Sequence, residues 1–324
     1  MMTIEATVAK HTGSHYLLTM LPAWDLFPAV LRGKMRLKAS KVTNPIAVGD
    51  RVLCTVPDEF AAEGTKCLNE DNAAIISEIL PRDNYVIRKS TNLSRQAHVI
   101  AANVNRAFLV VTLAFPEVKL PFLDRLLVTC GVYGVPATIV LNKVDMLRLI
   151  PGFQDYYESF KDIYTGAGYN IIETSAKTGE GVEELRQAIC GSGVNLLSGV
   201  SGVGKSSLIK ALDPSLNPRT GEISEAHLQG KHTTTFYEMY ALSSGGFIID
   251  TPGIRSFGLV DIEAEEVAKY FPEMLHASQE CRFTPCTHTH EPGCAVKRAV
   301  EQGEISPERY NSYLGMLEEY SKYR

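Results

Sequence analysis

The residues whose types and spacing most clearly indicate chemistry form one glycine-rich segment, Gly199-Val200-Ser201-Gly202-Val203-Gly204-Lys205-Ser206. It fits the pattern G-x-x-x-x-G-K-[ST] and lies between an apolar run at 194–197 and a helix-like run at 207–212, the context that this pattern needs. Glycines let backbone N–H groups turn toward phosphate oxygens, while a helix N-terminus and a lysine supply positive charge. We therefore predict that this segment, with the adjacent Ser207, binds nucleotide phosphates and that Ser206 binds magnesium.

A second motif, Asn142-Lys143-Val144-Asp145, follows a strand predicted at 137–141. Ligands of open α/β sheets bind at the carboxyl ends of the strands, so the motif has a suitable position. The Asp145 carboxylate can accept hydrogen bonds from N1–H and the 2-amino group of guanine, a pair of donors that adenine lacks. Asn142 and Lys143 are predicted to hold the base and the neighbouring loop.

A third motif, Thr174-Ser175-Ala176-Lys177, follows a strand predicted at 170–173. It is typical of the second guanine-contacting loop of GTPases, so we assign Ser175, Ala176 and Lys177 to the same site. A buried set of acceptors rejects the wrong base because the mismatched polar groups stay unsatisfied. The two motifs together indicate GTP and argue against an ATPase.

The loop after the phosphate-binding segment ends in Lys231-His232-Thr233-Thr234-Thr235. A threonine in such a loop completes magnesium coordination when the γ-phosphate is present, which makes the loop sensitive to the nucleotide. We assign this role to Thr234, with Thr233 as the alternative.

A strand predicted at 247–249 is followed by Asp-Thr-Pro-Gly, which fits the motif DxxG. Asp250 is predicted to join the magnesium shell, and the N–H of Gly253 to meet the γ-phosphate. The next residue is Ile254, where Ras-type GTPases have a glutamine that orients the attacking water. Intrinsic hydrolysis is therefore expected to be slow unless another group positions the water. His232 is our candidate catalytic residue, the alternative being a histidine that only orders its loop.

The order of these motifs along the chain differs from that of an ordinary GTPase. Both guanine motifs come before the phosphate-binding segment, and a helix predicted at 182–190 runs through Gly191-Ser192-Gly193 directly into it. This order predicts a circular permutation, which is feasible because the termini of a domain usually lie close together at its surface. The alternating pattern of buried strands and amphipathic helices from residue 105 predicts a parallel sheet that positions all of the motifs.

The C-terminal region contains Cys281-x4-Cys286-x-His288-x5-Cys294 between helices predicted at 261–275 and 306–323. Three thiolates and one imidazole match a closed structural zinc site that leaves no open position for catalysis. His290 is an alternative ligand, but we choose His288. Ser306 and Pro307 are predicted to begin the last helix.

The first 95 residues contain short strands, predicted at 48–56 and 73–80 among others, which indicate a small β-barrel. Cations alternate at period two in one stretch of it: Arg32, Lys34, Arg36 and Lys38. The functional interpretation is a surface that contacts RNA phosphates, with Trp24 and Phe27 as candidates for base stacking. The alternative is a solvated strand edge whose charges prevent aggregation.

The chain has 324 residues with 45% hydrophobic and 21% charged residues, as expected for two or three globular domains. Its formal net charge of −5 argues against a protein that coats nucleic acid with its whole surface, but does not exclude one with a local basic face. We found neither a signal peptide nor an apolar run of about 18 residues, so we expect a cytoplasmic protein without a membrane segment.

The sequence contains, in this order, NKVD, TSAKTGEG, GVSGVGKSS, GKHTTT, DTPGIRSF and CRFTPCTHTHEPGCAV. In these segments and their order the chain resembles the RsgA (YjeQ/YloQ) family of circularly permuted GTPases. The resemblance covers nearly the whole chain, including VGDRV and AANVNRAFLV. It implies a multidomain α/β protein with an OB-fold RNA-binding barrel at 1–94, a circularly permuted P-loop GTPase domain at 95–257 and a helical zinc-binding domain at 258–324.

The resemblance also implies a function, namely GTP hydrolysis in late assembly of the small ribosomal subunit, which binds the protein through rRNA and stimulates hydrolysis. It implies one structural zinc ion, magnesium with GTP, and a monomer. A nucleotide-gated RNA-binding scaffold, in which hydrolysis is incidental, is the rival hypothesis.

Overall fold

The computed structural model describes residues 1–11, 15–31, 46–89, 97–191, 193–218, 237–251 and 262–322. These residues form a barrel, a central domain and a C-terminal domain, each with its own hydrophobic core. The predicted domain boundaries, 94/95 and 257/258, lie outside the described residues. No helix within the described ranges is both long enough and apolar enough to cross a bilayer.

Among the described residues, the barrel has five strands: β1 (Met2–His11), β2 (His15–Thr19), β3 (Phe27–Leu31), β4 (Arg51–Val56) and β5 (Ala74–Ile79). Their order is β1-β2-β3-β5-β4, and β4 pairs again with β1, so the sheet closes. A short helix α1 (Phe60–Glu63) and a 3-10 turn (Gly64–Cys67) lie between β4 and β5. The alternation in β4 places Val52, Cys54 and Val56 inside, as predicted.

One prediction for the barrel was wrong. Phe27 was a candidate for base stacking, but its side chain is fully buried in the barrel core, where it contacts the ring of Phe60. The alternation of β3 points this ring inward, so it offers no face to a ligand. Trp24 packs against Phe247 of the central domain, with ring centroids 5.6 Å apart.

A hairpin of β6 (Tyr85–Lys89) and β7 (Ala97–Ala102) connects the barrel to the central domain. Val86 and Ile100 on its inner face are fully buried in the central core. The hairpin thus leads the chain into the first strand of the central sheet.

In the part of the chain that the structure describes, the central sheet has six strands: β8 (Arg106–Val111), β9 (Ala137–Asn142), β10 (Ile171–Thr174), β11 (Val194–Ser198), β12 (Glu238–Ala241) and β13 (Phe247–Asp250). Their order is β10-β9-β8-β11-β13-β12, and all neighbours are parallel except β12 and β13. The helices are α2 (Leu120–Val132), α3 (Val144–Leu147), α4 (Gln154–Gly166), α5 (Val182–Cys190) and α6 (Lys205–Leu212). The parallel arrangement brings the carboxyl ends of five strands to one edge.

The C-terminal domain contains a 3-10 helix (Ala264–Tyr270), α7 (Pro272–Ser278), α8 (Ala295–Glu301) and α9 (Pro307–Lys322). The single helix predicted at 261–275 is therefore divided, because Pro272 has no N–H to donate and begins a new helix instead. The prediction for the last helix is confirmed. The Ser306 hydroxyl accepts hydrogen bonds from the N–H groups of Glu308 (3.2 Å) and Arg309 (3.4 Å).

Arg309 of α9 is buried where the C-terminal domain packs on the central domain. Its guanidinium donates to Asp124 of α2 at 2.7 Å and to Glu273 of α7 at 2.7 and 3.1 Å, and all three side chains are at most 8% exposed. Tyr164 of α4 also donates to Asp124 at 2.9 Å. Burial raises the pKa of Asp124, and the Arg309 cation limits that rise. The network thus joins two helices of each domain.

Candidate functional site

The carboxyl ends of β9, β10, β11 and β13 form one edge of the central sheet, where three of the predicted motifs and Asp250 of a fourth lie together. Register pairs bring Asn142 beside Thr174 and Leu197 beside Asp250. We call the part formed by β9 and β10, where the base is predicted to bind, the guanine end, and the part formed by β11 and β13, where the phosphates are predicted to bind, the phosphate end. This is where open α/β sheets bind ligands.

The phosphate-binding segment connects β11 to α6, and two of its glycines are sterically required. A Cβ at Gly199 would lie 2.3 Å from the carbonyl oxygen of Val110, inside any acceptable contact. Gly204 has φ +98°, and a Cβ there would lie 2.4 Å from Nδ2 of Asn142. The loop therefore curls tightly against β8 and β9 only because these positions have no side chain.

Lys205 is the first residue of α6 and is only 7% exposed. Its Nζ donates to the carbonyl oxygens of Gly199 (2.7 Å) and Val200 (3.1 Å), so the ammonium group lies inside the loop. Burial lowers the pKa of Lys205, and the charge of Asp250 partly opposes this effect. A phosphate oxygen entering the loop would meet a cation already in place.

Asp250 ends β13 and is 8% exposed. Its Oδ1 is buried and has no hydrogen-bond partner among the residues that the structure describes. Burial raises the pKa of Asp250 to about 6, opposed by the charge of Lys205. A buried carboxylate oxygen without a partner is costly unless a ligand satisfies it, so this atom fits the outer shell of a magnesium ion.

Asn142 ties the two ends of the site together. Its Nδ2 donates to the carbonyl oxygen of Val203 in the phosphate-binding segment at 2.8 Å. Its Oδ1 accepts from the Thr174 hydroxyl (3.1 Å) and from the N–H of Ala176 (3.3 Å) in the third motif. This fully buried amide thus sets the separation of the guanine and phosphate ends.

Lys143 and Asp145 form the wall that would face the base. Lys143 has a left-handed backbone, and its Nζ donates to the carbonyl oxygens of Phe115 (2.5 Å) and Gly202 (2.7 Å). The Asp145 Oδ1 accepts from the Ser175 hydroxyl at 2.7 Å. The serine orients the carboxylate, so that its second oxygen is available to guanine donors.

Two residues that hold this site were not assigned a role from the sequence. The Thr174 hydroxyl orients Asn142, and the carbonyl of Phe115 anchors Lys143. Thr174 could have been found, since it begins the third motif. Phe115 could not, because its contribution is a backbone carbonyl of a loop after β8.

The other predicted residues lie partly in the described ranges and partly outside them. Ser206 and Ser207 lie in the first turn of α6, and Ser201 and Lys177 are exposed at the rim of the site. Several assigned residues lie outside the described residues, among them the candidate catalytic and switch residues His232, Thr233, Thr234, Gly253 and Ile254 and the cations Arg32, Lys34, Arg36 and Lys38.

The four predicted metal ligands converge in the C-terminal domain: Cys281, Cys286, His288 and Cys294 each offer one ligand atom, and these atoms lie within 4.8 Å of one another. The Nδ1 of His288 lies 3.4 Å from Sγ of Cys294, and the sulfurs of Cys281 and Cys294 are 3.9 Å apart. With zinc–sulfur bonds of about 2.3 Å, a tetrahedral site separates its sulfurs by nearly this distance. His290 is exposed and faces the Thr289 hydroxyl instead.

The surroundings of the cluster fix its geometry. Tyr310 and Tyr313 of α9 donate their hydroxyls to the carbonyls of His288 and Thr287, both at 2.6 Å. Cys294 precedes α8, and its Sγ accepts from the N–H of Lys297 at 3.5 Å. Partners of this kind orient metal ligands and stabilise a thiolate. The cluster therefore fits one structural metal ion.

The sequence of the chain is similar to the sequences of known proteins. A family model described as RsgA GTPase matches residues 79–260. A protein of Bacteroides fragilis (strain YCH46), named small ribosomal subunit biogenesis GTPase RsgA, is 46% identical over 323 residues, covering 99% of both chains. A protein of Bacteroides thetaiotaomicron, named small ribosomal subunit biogenesis GTPase RsgA 2, is 44% identical over 326 residues, also covering 99% of both chains.

Two crystal structures share the whole architecture. YjeQ from Thermotoga maritima has a TM-score of 0.75 at 33% identity, covering 98% of both chains. YloQ, described as a circularly permuted GTPase, has a TM-score of 0.72 at 27% identity and covers 100% of this chain and 96% of its own. The present chain thus shares the fold of these two structures over nearly its whole length.

Proposed function

Because the chain belongs to the RsgA GTPase family and is therefore a GTPase, we propose that it hydrolyses GTP during late assembly of the small ribosomal subunit. The subunit binds the protein through rRNA and stimulates hydrolysis. Relatives that share 44–46% of its residues over nearly the full length are named for small-subunit biogenesis. The proposal includes a monomeric protein of the cytoplasm and the three domains at 1–94, 95–257 and 258–324.

The observation that carries the nucleotide assignment is the position of Asn142. Its amide bonds both to the phosphate-binding segment and to the loop beside Asp145, so base and phosphates are bound by one rigid frame. In this frame the phosphates accept from the N–H groups of residues 199–207 and from Lys205. Guanine is selected by Asp145, with Ser175, Ala176 and Lys177 closing the loop over the base.

Magnesium, when bound with GTP, neutralises phosphate charge. Ser206, Thr234 and Asp250 would hold it, and the unpartnered Oδ1 of Asp250 fits that role. Zinc would be held by Cys281, Cys286, His288 and Cys294 and would serve folding rather than catalysis, since four protein ligands close the site.

Hydrolysis requires a group that orients water, and Ile254 cannot supply one. We assign this role to His232, which the small subunit would bring into position. The barrel cations Arg32, Lys34, Arg36 and Lys38 would contact the phosphates of rRNA. Intrinsic turnover should accordingly be slow, and turnover with the subunit faster.

The GTPase rate with and without purified small subunits tests this function. We expect stimulation by the subunit, and we expect His232→Ala to reduce the stimulated rate about a hundredfold while GTP affinity stays nearly unchanged. Absence of stimulation excludes the subunit as the activating partner. Stimulation that survives in the variant removes His232 from catalysis.

Guanine selection gives a separate prediction. Asp145→Asn should weaken GTP binding about a hundredfold, because the amide keeps one acceptor oxygen and its NH2 group faces one of the two guanine donors. The same variant should gain affinity for XTP, whose base has a carbonyl at position 2 that an amide can pair with. Competition of GTP, XTP and ATP against a fluorescent GTP analogue measures both effects.

The matched control is Asp155→Asn, which removes an exposed carboxylate from the first turn of α4. It should leave all three affinities unchanged. If Asp145→Asn bound GTP as tightly as the parent chain, Asp145 would not read the base.

A further inference from the structure

A row of charged side chains crosses from the barrel to the phosphate end of the nucleotide site. β1 pairs with β12 at Lys10 and Glu238, and β12 pairs with β13 at Glu238 and Asp250. Residues directly opposite on antiparallel strands point to the same face, with Cβ atoms about 5 Å apart. The three side chains therefore lie side by side, with Lys205 near Asp250, and the row contains two anions between two cations.

The pair at the domain boundary is close and largely buried. Nζ of Lys10 lies 2.6 Å from Oε1 of Glu238, and the two side chains are 20% and 25% exposed. The Tyr240 hydroxyl donates to the other carboxylate oxygen at 3.3 Å. Lys10 is thus the neutralising partner of a carboxylate that belongs to the central domain.

The strand pairing of β1 places Lys10 beside the central domain. Its first half pairs with β4, its second half pairs with β2, and the register with β2 shifts between Val8 and Lys10. Ala9, at this shift, is buried in the core of the central domain rather than in that of the barrel. The end of β1 thus extends the central sheet by one strand.

The charge of Glu238 affects the pKa of Asp250. Burial and Glu238 both raise the pKa of Asp250, whereas Lys205 lowers it. A carboxylate in this position also repels the phosphates of a bound nucleotide unless a cation offsets it. The offsetting cation comes from the barrel.

We propose that Lys10 is a positioning residue of the nucleotide site, contributed by the barrel, which holds Glu238 and cancels its charge beside the phosphates and Asp250. The proposal rests on the guanine-nucleotide site described above and adds to it a part for the barrel in nucleotide affinity. It differs from a purely structural pair, which would join the domains without affecting the nucleotide.

The test measures binding of a fluorescent GDP analogue to the zinc-loaded full chain in buffer without magnesium. We expect Lys10→Met to weaken binding about threefold to tenfold, as one uncompensated charge beside the phosphate end would do in a partly buried site. Lys10→Arg keeps the cation and should bind within about twofold of the parent chain. Glu238→Gln should abolish the effect, so that adding Lys10→Met to it causes no further loss.

Thermal melting of each variant separates a loss of affinity from a loss of folding. The matched control is Lys269→Met, which breaks the exposed pair with Glu266 in the C-terminal domain and should leave affinity unchanged. Parent-like affinity in Lys10→Met, or a loss that persists in the Glu238→Gln background, overturns the proposal. Failure of the parent chain to bind the analogue would instead refute the nucleotide site itself.

Discussion

Removal of the metal is expected to unfold the C-terminal domain while the barrel and the central domain stay folded. Metal binding to structural Cys/His sites supplies about 10–16 kcal/mol in small zinc domains, which is as large as the whole stability of a typical domain. Cys294 is buried in this domain's core, and Cys281 and Cys286 pack against it. Without metal, only weak hydrogen bonds of sulfur would hold the three thiols and the imidazole together there.

The measurement combines metal content with limited proteolysis. The chain purified with zinc should contain one equivalent, and a chelator should make the peptide bonds after Lys269, Arg282 and Lys297 cleavable by trypsin. Cys294→Ser should reproduce this sensitivity, whereas Cys190→Ser, outside the cluster, should not. Equal trypsin resistance with and without metal would contradict the prediction.

Arg309→Met is expected to destabilise the protein by about 3–5 kcal/mol, the usual cost of breaking a buried ion pair by removing one partner. Methionine fills much of the same volume, so the loss comes from the charges that remain. Asp124 and Glu273 would stay buried without their shared cation. The guanidinium also lies over the rings of Phe271, Tyr169 and Tyr164, with centroid distances of 4.6, 5.3 and 5.6 Å, and these contacts would be lost.

Urea unfolding followed by circular dichroism measures this loss. The control is Arg298→Met, because its pair with Glu280 is 52% and 77% exposed and surface pairs contribute about 1 kcal/mol or less. Adding Asp124→Asn to Arg309→Met should recover part of the stability, since one buried charge is then removed. Equal stability of Arg309→Met and Arg298→Met would show that the network contributes nothing.

Much of the central domain could be predicted because its chemistry depends on short motifs at strand ends. The circularly permuted fold and membership of the family are confirmed. The spacing alone also predicted that the four metal ligands lie together, since loops of four, one and five residues leave few ways to separate them. In each case the information is local in the chain.

The interactions between domains could not be predicted, because they join residues far apart in sequence. Nothing near Arg309 indicates that its partner is Asp124, and Lys10 resembles any lysine on a strand. The prediction that Phe27 stacks on a base was wrong for a related reason, since the face that a strand residue occupies depends on how the barrel closes. These positions are set by tertiary packing rather than by local pattern.

The place of β1 in the sheet has a consequence for how the protein folds as it is synthesised. β8, β9 and β10 are neighbours in both sequence and space, so they can assemble as soon as they leave the ribosome. The end of β1 must wait for β12, which is translated more than two hundred residues later, because Lys10 pairs with Glu238. The end of β1 thus stays unpaired on one side until β12 has been synthesised. The contact between the barrel and the central domain is therefore among the last to form.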